Sequence, residues 1–336
     1  MSKLIRYNNY IRQTGAAGTK PRTLFINPSN RCNFRCKQCY VSAPTADPQT
    51  VISLERIRAL ADEADELGIY EIVVEGGEPL VYKDLFEVLA AFGPDRFYLA
   101  LTSNGYLLDE DMAKRLASAG LSRVVISLDS LTPEVHDGFR GQEGAFERAL
   151  AALENVKRAG MQPSVNFLVG HYNAQTGEVE KVCNFCAARK YQVGLVPAAP
   201  VGDWKGNLDV MLDEGDTKRL EEIRASYNNA WRDLWPPIAR GNEGLCSCPA
   251  VNRPYITPRG DVLPCPYIHV KIGNIYEQAL KEILAYGFSI KYFCQNSAKC
   301  LTGEDREFVT TYLQKEGMSV MNPISADELF ASEDFV

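Results

Sequence analysis

Six short runs rich in β-branched and aromatic residues punctuate the first 200 residues of this chain, and each pair is separated by enough residues for a helix. They are TLFIN (23–27), YEIVVEG (70–76), FYLALTS (97–103), RVVISLDS (123–130), SVNFLVG (164–170) and QVGLVP (192–197). Between them lie stretches such as SLERIRALADEADELG from Ser53 and AFERALAALENVKRAG from Ala145, whose apolar residues recur at three and four, the period of a helix with one buried face. Strand and helix in strict alternation predict βαβ units on a parallel sheet, either open or rolled into a partial barrel. In a barrel the chemistry gathers at the carboxyl ends of the strands.

The pattern changes from about Gly206, where a long helical stretch runs through Trp235 to the breaker Pro236-Pro237 and a turn-rich, cysteine-bearing module follows. RPYITPRGDVLPC reads as two short strands joined by a turn, and IYEQALKEILAYG as a helix. The acidic, weakly periodic stretch after Met318 reads as a mobile tail or lid. The expected division is an N-terminal extension (1–20), an α/β unit of six βα repeats, open sheet or partial barrel (21–205), a helical connector (206–240), a small cysteine-rich domain (241–316) and an acidic tail (317–336). The net charge is −7 with lysines and arginines scattered, which argues against a nucleic-acid binder. The N-terminus lacks an apolar core of signal type and no 18-residue apolar run occurs, so neither secretion nor membrane spanning is indicated and the chain is expected to be cytoplasmic. Ten cysteines there are poor disulfide candidates. Their grouping at 32/36/39, 183/186, 246/248/265 and 294/300 points to metal ligation or redox chemistry.

RCNFRCKQCY, the loop after the first strand, holds three of them. Cys32, Cys36 and Cys39 stand four and three apart, so a loop coiled like a helical turn aims three thiolates at one centre. Three ligands leave a metal position open, which catalysis at a metal requires and structural zinc avoids. Arg31, Arg35 and Lys37 favour thiolates and offset the charge of a sulfur-rich group.

C-x3-C-x2-C directly after the first strand of an α/β chain resembles the radical S-adenosylmethionine (SAM) superfamily. The resemblance implies that Cys32, Cys36 and Cys39 hold a 4Fe-4S cluster whose fourth iron is chelated by the amino and carboxylate groups of SAM. An electron from the cluster then cleaves the sulfonium to methionine and a 5′-deoxyadenosyl radical, which abstracts hydrogen from substrate. Gln38 departs from the aromatic residue many members carry there. Glu75-Gly76-Gly77-Glu78-Pro79 matches the family's GGE motif, so Gly76, Gly77 and Glu78 are expected at the SAM ammonium. Ser103 and Asn104 after the third strand, and Ser127 and Asp129 after the fourth, resemble positions at the SAM ribose and carboxylate, with strand-end capping as the alternative. Arg140 resembles an arginine that pairs with the SAM carboxylate, a two-bond task suited to guanidinium, or else forms a surface salt bridge. Asn166 on the fifth strand is a further candidate.

The frame CPAVNRPYITPRGDVLPC, followed by Gly273-Asn274-Ile275 and a helix, resembles the SPASM or shortened Twitch module of the same superfamily. Such modules hold auxiliary clusters, and Cys246, Cys248, Cys265, Cys294 and Cys300 suffice for one 4Fe-4S cluster with one thiol spare. The C-x5-C pair and Val251 depart from the usual pattern, and thiolates alone also suit zinc. Cys248 fits the first ligand position better than Cys246, so Cys246 is either a hydrogen-atom donor to a substrate radical or a ligand in place of Cys294. Cys183 and Cys186 share one helical face and read as core. His171 is the one histidine expected to face the cavity, and Trp204 and Tyr172 are candidate substrate walls.

The resemblance implies a radical SAM enzyme built on a partial (β/α)6 barrel with a small C-terminal Twitch or SPASM-like domain, which draws on an electron donor such as flavodoxin or ferredoxin. About two dozen residues precede the first strand, too few for the leader-peptide domain of many peptide-modifying members. The expected substrate is therefore a small polar molecule, a sugar, aminocyclitol or nucleoside of natural-product biosynthesis, that is epimerised or dehydrogenated. Peptide modification is the alternative, and a non-catalytic iron-sulfur or zinc protein is the reading from another class.

Overall fold

The computed structural model describes residues 23–42, 49–232, 253–294 and 299–336. The expected extension 1–20, the Pro236-Pro237 breaker, Val251 and the candidates Cys246 and Cys248 lie outside the described residues.

The six expected strands form as β1 (Thr23–Ile26), β2 (Glu71–Val74), β3 (Tyr98–Ser103), β4 (Arg123–Ser127), β5 (Gln162–Val169) and β6 (Gln192–Pro197), parallel and in sequence order across the sheet. The intervening helices are α1 (Leu54–Glu66), α2 (Leu85–Phe92), α3 (Glu110–Ser118), α4 (Pro133–Arg140), α5 (Ala145–Arg158) and α6 (Glu178–Arg189). Helix α1 starts where the Ser53 side chain accepts from Arg56 N, a cap contributing about 1 kcal/mol. It buries Ile57, Leu60, Ala61 and Ala64, the stripe its period predicts.

Alternation along the strands sorts side chains between two cores. Leu24, Ile26, Ile72, Val74, Leu99 and Leu101 pack in the large core beneath the helices, whereas Phe25, Val73 and Ala100 belong to a smaller cluster on the opposite face. The next residues in that second register, at the strand ends, include Glu75, Thr102 and Ser127, so the face that is apolar at mid-strand becomes polar at the carboxyl ends.

The expected long connector helix is shorter than its periodicity suggested. Helix α7 covers Glu214–Ser226, Tyr227 turns extended, and Ala230–Arg232 forms β7, parallel to β6. Asn228-Asn229 is poor helix sequence, and the Asn229 side chain instead donates to Tyr191 O while its carbonyl accepts from Val193 N, which steers the chain onto the sheet edge.

At the other edge, β8 (Tyr255–Ile256) pairs parallel with β1 and antiparallel with β9 (Asp261–Leu263), as RPYITPRGDVLPC predicts for its two strands. The chain continues through β10 (Val270–Lys271) and β11 (Gly273–Asn274) to α8 (Leu280–Phe288), so the second module extends the sheet of the first.

The expectation of a mobile tail is corrected. Val320 is fully buried in the smaller core beside Phe25, Val41 and Tyr255, and Met321 packs against that core. Strand β12 (Ile324–Ser325) pairs with β10, Phe330 is buried, and Asp334 pairs with Lys291 at 2.6 Å. The apolar residues among the acidic ones hold the segment down, each fully buried one adding roughly 1.5–3 kcal/mol. No helix among the described residues is long and apolar enough to cross a membrane.

Candidate functional site

The loop after β1 is held by close backbone approach and by side-chain bonds, Asn104 Nδ2 donating to Asn33 Oδ1 at 2.9 Å and Gln38 Nε2 to Asp129 Oδ2 at 3.3 Å. A Cβ on Gly77 would stand 2.1 Å from the Arg31 carbonyl oxygen, and one on Gly202, after β6, 2.2 Å from that of Cys39. Only glycine permits either contact. Glu78 N donates to Arg31 O at 2.7 Å, Asp203 N to Cys39 O at 2.9 Å and Lys37 N to Phe139 O at 3.0 Å. The loop is thus clasped by the turns after β2 and β6 and by α4.

Cys32, Cys36, Cys39, Gly76, Gly77, Glu78, Ser103, Asn104, Ser127, Asp129, Arg140 and Asn166, all singled out in the sequence, line one cleft at the strand ends. The cleft opens to solvent at the carboxyl ends of the strands, and Phe34, Leu168, Val196 and Trp204 add apolar surface to its polar lining. Glu78 is 2 % exposed and accepts three hydrogen bonds: Ser103 Oγ and Asn104 N donate to it at 2.8 Å and Leu80 N at 3.1 Å. Burial raises its carboxyl, and these bonds oppose the rise.

Arg140 Nε donates to Asp129 Oδ2 at 2.6 Å, and Nη1 reaches to 3.9 Å from Cys36 Sγ. Arg140 is therefore no surface pair, since its side chain is only 14 % exposed and that of Asp129 3 %. His136, fully buried under this pair, accepts from Asp129 N at 3.1 Å. Three buried acceptors on cleft-lining residues have no partner among the described residues: Gln38 Oε1, Asp129 Oδ1 and Asn166 Oδ1. Buried acceptors left unmet are costly, so this wall suits a ligand rich in N–H and O–H donors with an anionic group for the guanidinium. A SAM molecule has that donor set.

Burial pushes the Cys32 thiol up to about 12 and raises Cys36, so thiolates here call for a strong local cation such as iron. Among the described residues only His171, Asp213 and Asp216 bring three donor atoms within 4.8 Å of one another. Cys32, Cys36 and Cys39 line the same cleft, a set of three thiols that could hold three irons of a cluster and leave a fourth open. His171 does not face the cleft as expected: its ring bonds Asp216 at 2.7 Å over a 55 % exposed surface. Trp204 lines the cleft, while Tyr172 packs behind it with ring centroids 5.9 Å apart.

In the second module Cys265, Cys294 and Cys300 are half-buried and outside the cleft lining. Cys294 Sγ lies 3.3 Å from Lys291 O, and Cys300 Sγ 3.4 Å from Thr302 Oγ1. Cys183 and Cys186 are fully buried in the large core on α6. The sequence reading did not single out Tyr40 and Tyr267, nor the apolar lining residues Phe34, Leu168, Val196, Ala199 and Val201, and it met Glu75 and Thr102 only as members of their motif stretches. Alternation from Val73 would have placed Glu75 on the inner face, whereas nothing local announces Tyr267.

The sequence model of the Radical SAM superfamily matches residues 26–186, and that of SPASM, an iron-sulfur cluster-binding domain, residues 246–301. The GTP 3′,8-cyclase of Aliarcobacter butzleri (strain RM4018) is 33 % identical over 266 residues, covering 74 % of this chain and 81 % of that protein. The AdoMet-dependent heme synthase of Methanosarcina barkeri (strain Fusaro / DSM 804) is 26 % identical over 299 residues, 78 % of this chain and 82 % of that one. Among solved structures, Streptococcus suis SuiB bound to precursor peptide SuiA aligns with a TM-score of 0.63 at 17 % identity, over 83 % of this chain and 68 % of that one. Native anSMEcpe with bound AdoMet aligns at 0.60 and 21 %, over 78 % and 80 %. At such identities the structural likeness speaks for the fold alone.

Proposed function

Because this chain belongs to the radical SAM superfamily and carries a C-terminal SPASM domain, with 4Fe-4S clusters and SAM as its cofactors, we propose that it transforms a small polar substrate by hydrogen-atom abstraction. The observation that carries this reading is the convergence, in one cleft, of the three-cysteine loop, the Arg140–Asp129 pair and three unmet acceptors. When bound, the reduced cluster supplies the electron that splits SAM, and the resulting 5′-deoxyadenosyl radical takes a hydrogen atom from substrate.

In this reading Cys32, Cys36 and Cys39 hold the SAM-binding cluster, and Gly76, Gly77 and Glu78 close the cleft where the SAM ammonium sits. Ser103, Asn104, Ser127, Asp129 and Asn166 meet its donors, and Arg140 meets its carboxylate. Cys265, Cys294 and Cys300, with Cys248, hold the auxiliary cluster, and Cys246 is the candidate hydrogen donor. Flavodoxin or ferredoxin would deliver the electron. The likeness to a GTP 3′,8-cyclase and a heme synthase supports a small-molecule substrate, and within that class we favour a sugar, aminocyclitol or nucleoside undergoing epimerisation or dehydrogenation.

Anaerobic enzyme given dithionite, SAM and members of these classes in deuterium oxide tests it. An epimerase places one solvent deuteron at an inverted carbon, and a dehydrogenase yields an unlabelled product two mass units lighter. 5′-Deoxyadenosine formation that only a peptide stimulates would return the assignment to peptide modification, and none under any condition would end the enzymatic reading. Arg140→Lys is expected to weaken SAM binding, seen by equilibrium dialysis, by roughly 1–3 kcal/mol, because an ammonium cannot both hold Asp129 and fork onto a carboxylate. Unchanged affinity would place the SAM carboxylate elsewhere.

A further inference from the structure

Two carboxyl groups end β2, and the protein treats them differently. Glu78 accepts three hydrogen bonds at 2.8–3.1 Å. Glu75, 8 % exposed, accepts among the described residues only from Tyr40 OH at 3.3 Å and Thr102 Oγ1 at 3.4 Å, both near the limit of a useful bond. A carboxylate offers about four acceptor positions, so Glu75 keeps acceptor capacity on the cleft side. It shares no hydrogen bond with Arg140, Asp129, Gln38 or Asn166, the first three of which are bonded among themselves. Its neighbours are aromatic: Tyr40 packs edge to face on Tyr267 at 5.2 Å and on Tyr255 at 6.2 Å. Tyr267 and Trp204 also line the cleft. The cleft thus has two polar poles, one donor-seeking wall with a guanidinium, and one carboxyl set among aromatic rings.

A buried carboxyl among aromatic rings is a cation site by composition, since the carboxylate supplies charge and the ring faces supply quadrupole. We propose that Glu75, with Tyr40 and Tyr267, anchors a protonated amine of the substrate, which makes that substrate an amino sugar or aminocyclitol. The proposal rests on the function inferred above and narrows it. Burial pushes the Glu75 carboxyl up to about 7, against the opposing influence of Tyr40, Thr102 and the charge of Arg253. An arriving ammonium would complete the set of partners that keeps it ionised.

The test is equilibrium dialysis of SAM-loaded, unreduced holoenzyme against radiolabelled glucosamine and, as its uncharged counterpart, glucose. Wild type is expected to prefer glucosamine by about tenfold or more, the scale of one charge-assisted hydrogen bond in a partly buried site. Glu75→Gln should erase that preference while leaving SAM affinity unchanged, and Tyr267→Leu should reduce it. Equal binding of the two sugars by wild type, or a preference that survives in Glu75→Gln, overturns the proposal. So does a loss of SAM affinity in Glu75→Gln, which would put Glu75 at the SAM pole. The underlying enzymatic reading fails separately, if wild type with dithionite and SAM forms no 5′-deoxyadenosine.

Discussion

Alanine at Cys32, Cys36 and Cys39 together is expected to abolish 5′-deoxyadenosine formation and to lower iron from about eight to about four per chain, the loss of one 4Fe-4S cluster. The variant should still fold, because the loop is fixed by contacts that do not use the sulfurs. Gly77 and Gly202 meet its backbone, and Lys37 N and Cys39 O are bonded from α4 and the β6 turn. Two of the thiols are raised by burial, so replacing them by alanine removes groups that are costly to ionise without a metal. The readouts are metal analysis, the absorption of the remaining auxiliary cluster and product formation under dithionite. Persistent cleavage of SAM would move the reaction out of this cleft. Wild-type iron near four with one equivalent of zinc would instead make the SPASM site structural.

What the sequence disclosed followed a simple physical division. Periodicity two and periodicity three-to-four are set locally, so the six strands and their helices were legible, as were the motif residues at the strand ends. The misses depend on partners distant in sequence. Strand β7 forms because Asn229 caps toward Tyr191 and Val193 offers an open sheet edge, and the C-terminal segment is ordered because Val320 finds Phe25 and Tyr255 some 295 and 65 residues earlier. Neither pairing has a local signature. Glu75 is the intermediate case. Its face could be counted from Val73, but its weak bonding, which distinguishes it from Glu78, emerges only when Tyr40 and Thr102 are in place.

His136 shows how such distant packing reaches the site, and it carries the second large prediction. Its ring is fully buried, Nδ1 accepts from Asp129 N at 3.1 Å, and Nε2 has no hydrogen-bond partner among the described residues. Burial first, and then the charge of Arg140, lower its pKa to about 4, with Asp129 and Asp137 opposing. His269, also buried, is lowered to about 4, mainly by burial. Because the folded pKa lies below the unfolded value near 6.5, the unfolded chain binds more protons in this window. Stability is full above about pH 6.5 and falls as pH drops toward 4, by about 3 kcal/mol per histidine over the whole window and about 2 by pH 5. Protonation also removes the acceptor that Asp129 N uses and sets an imidazolium 3.9 Å from the carboxylate that holds Arg140. SAM affinity should therefore decline in the same window, ahead of global unfolding. Urea unfolding between about pH 5 and 7.5 should show His136→Asn less stable than wild type at the upper end, with that deficit shrinking by about 2 kcal/mol toward pH 5, because the contributions of His269 and of the raised Glu75 carboxyl, which is opposite in sign, cancel in the difference. A constant deficit would mean that the ring of His136 titrates alike in the folded and unfolded chain, and that Asp129 is positioned without it.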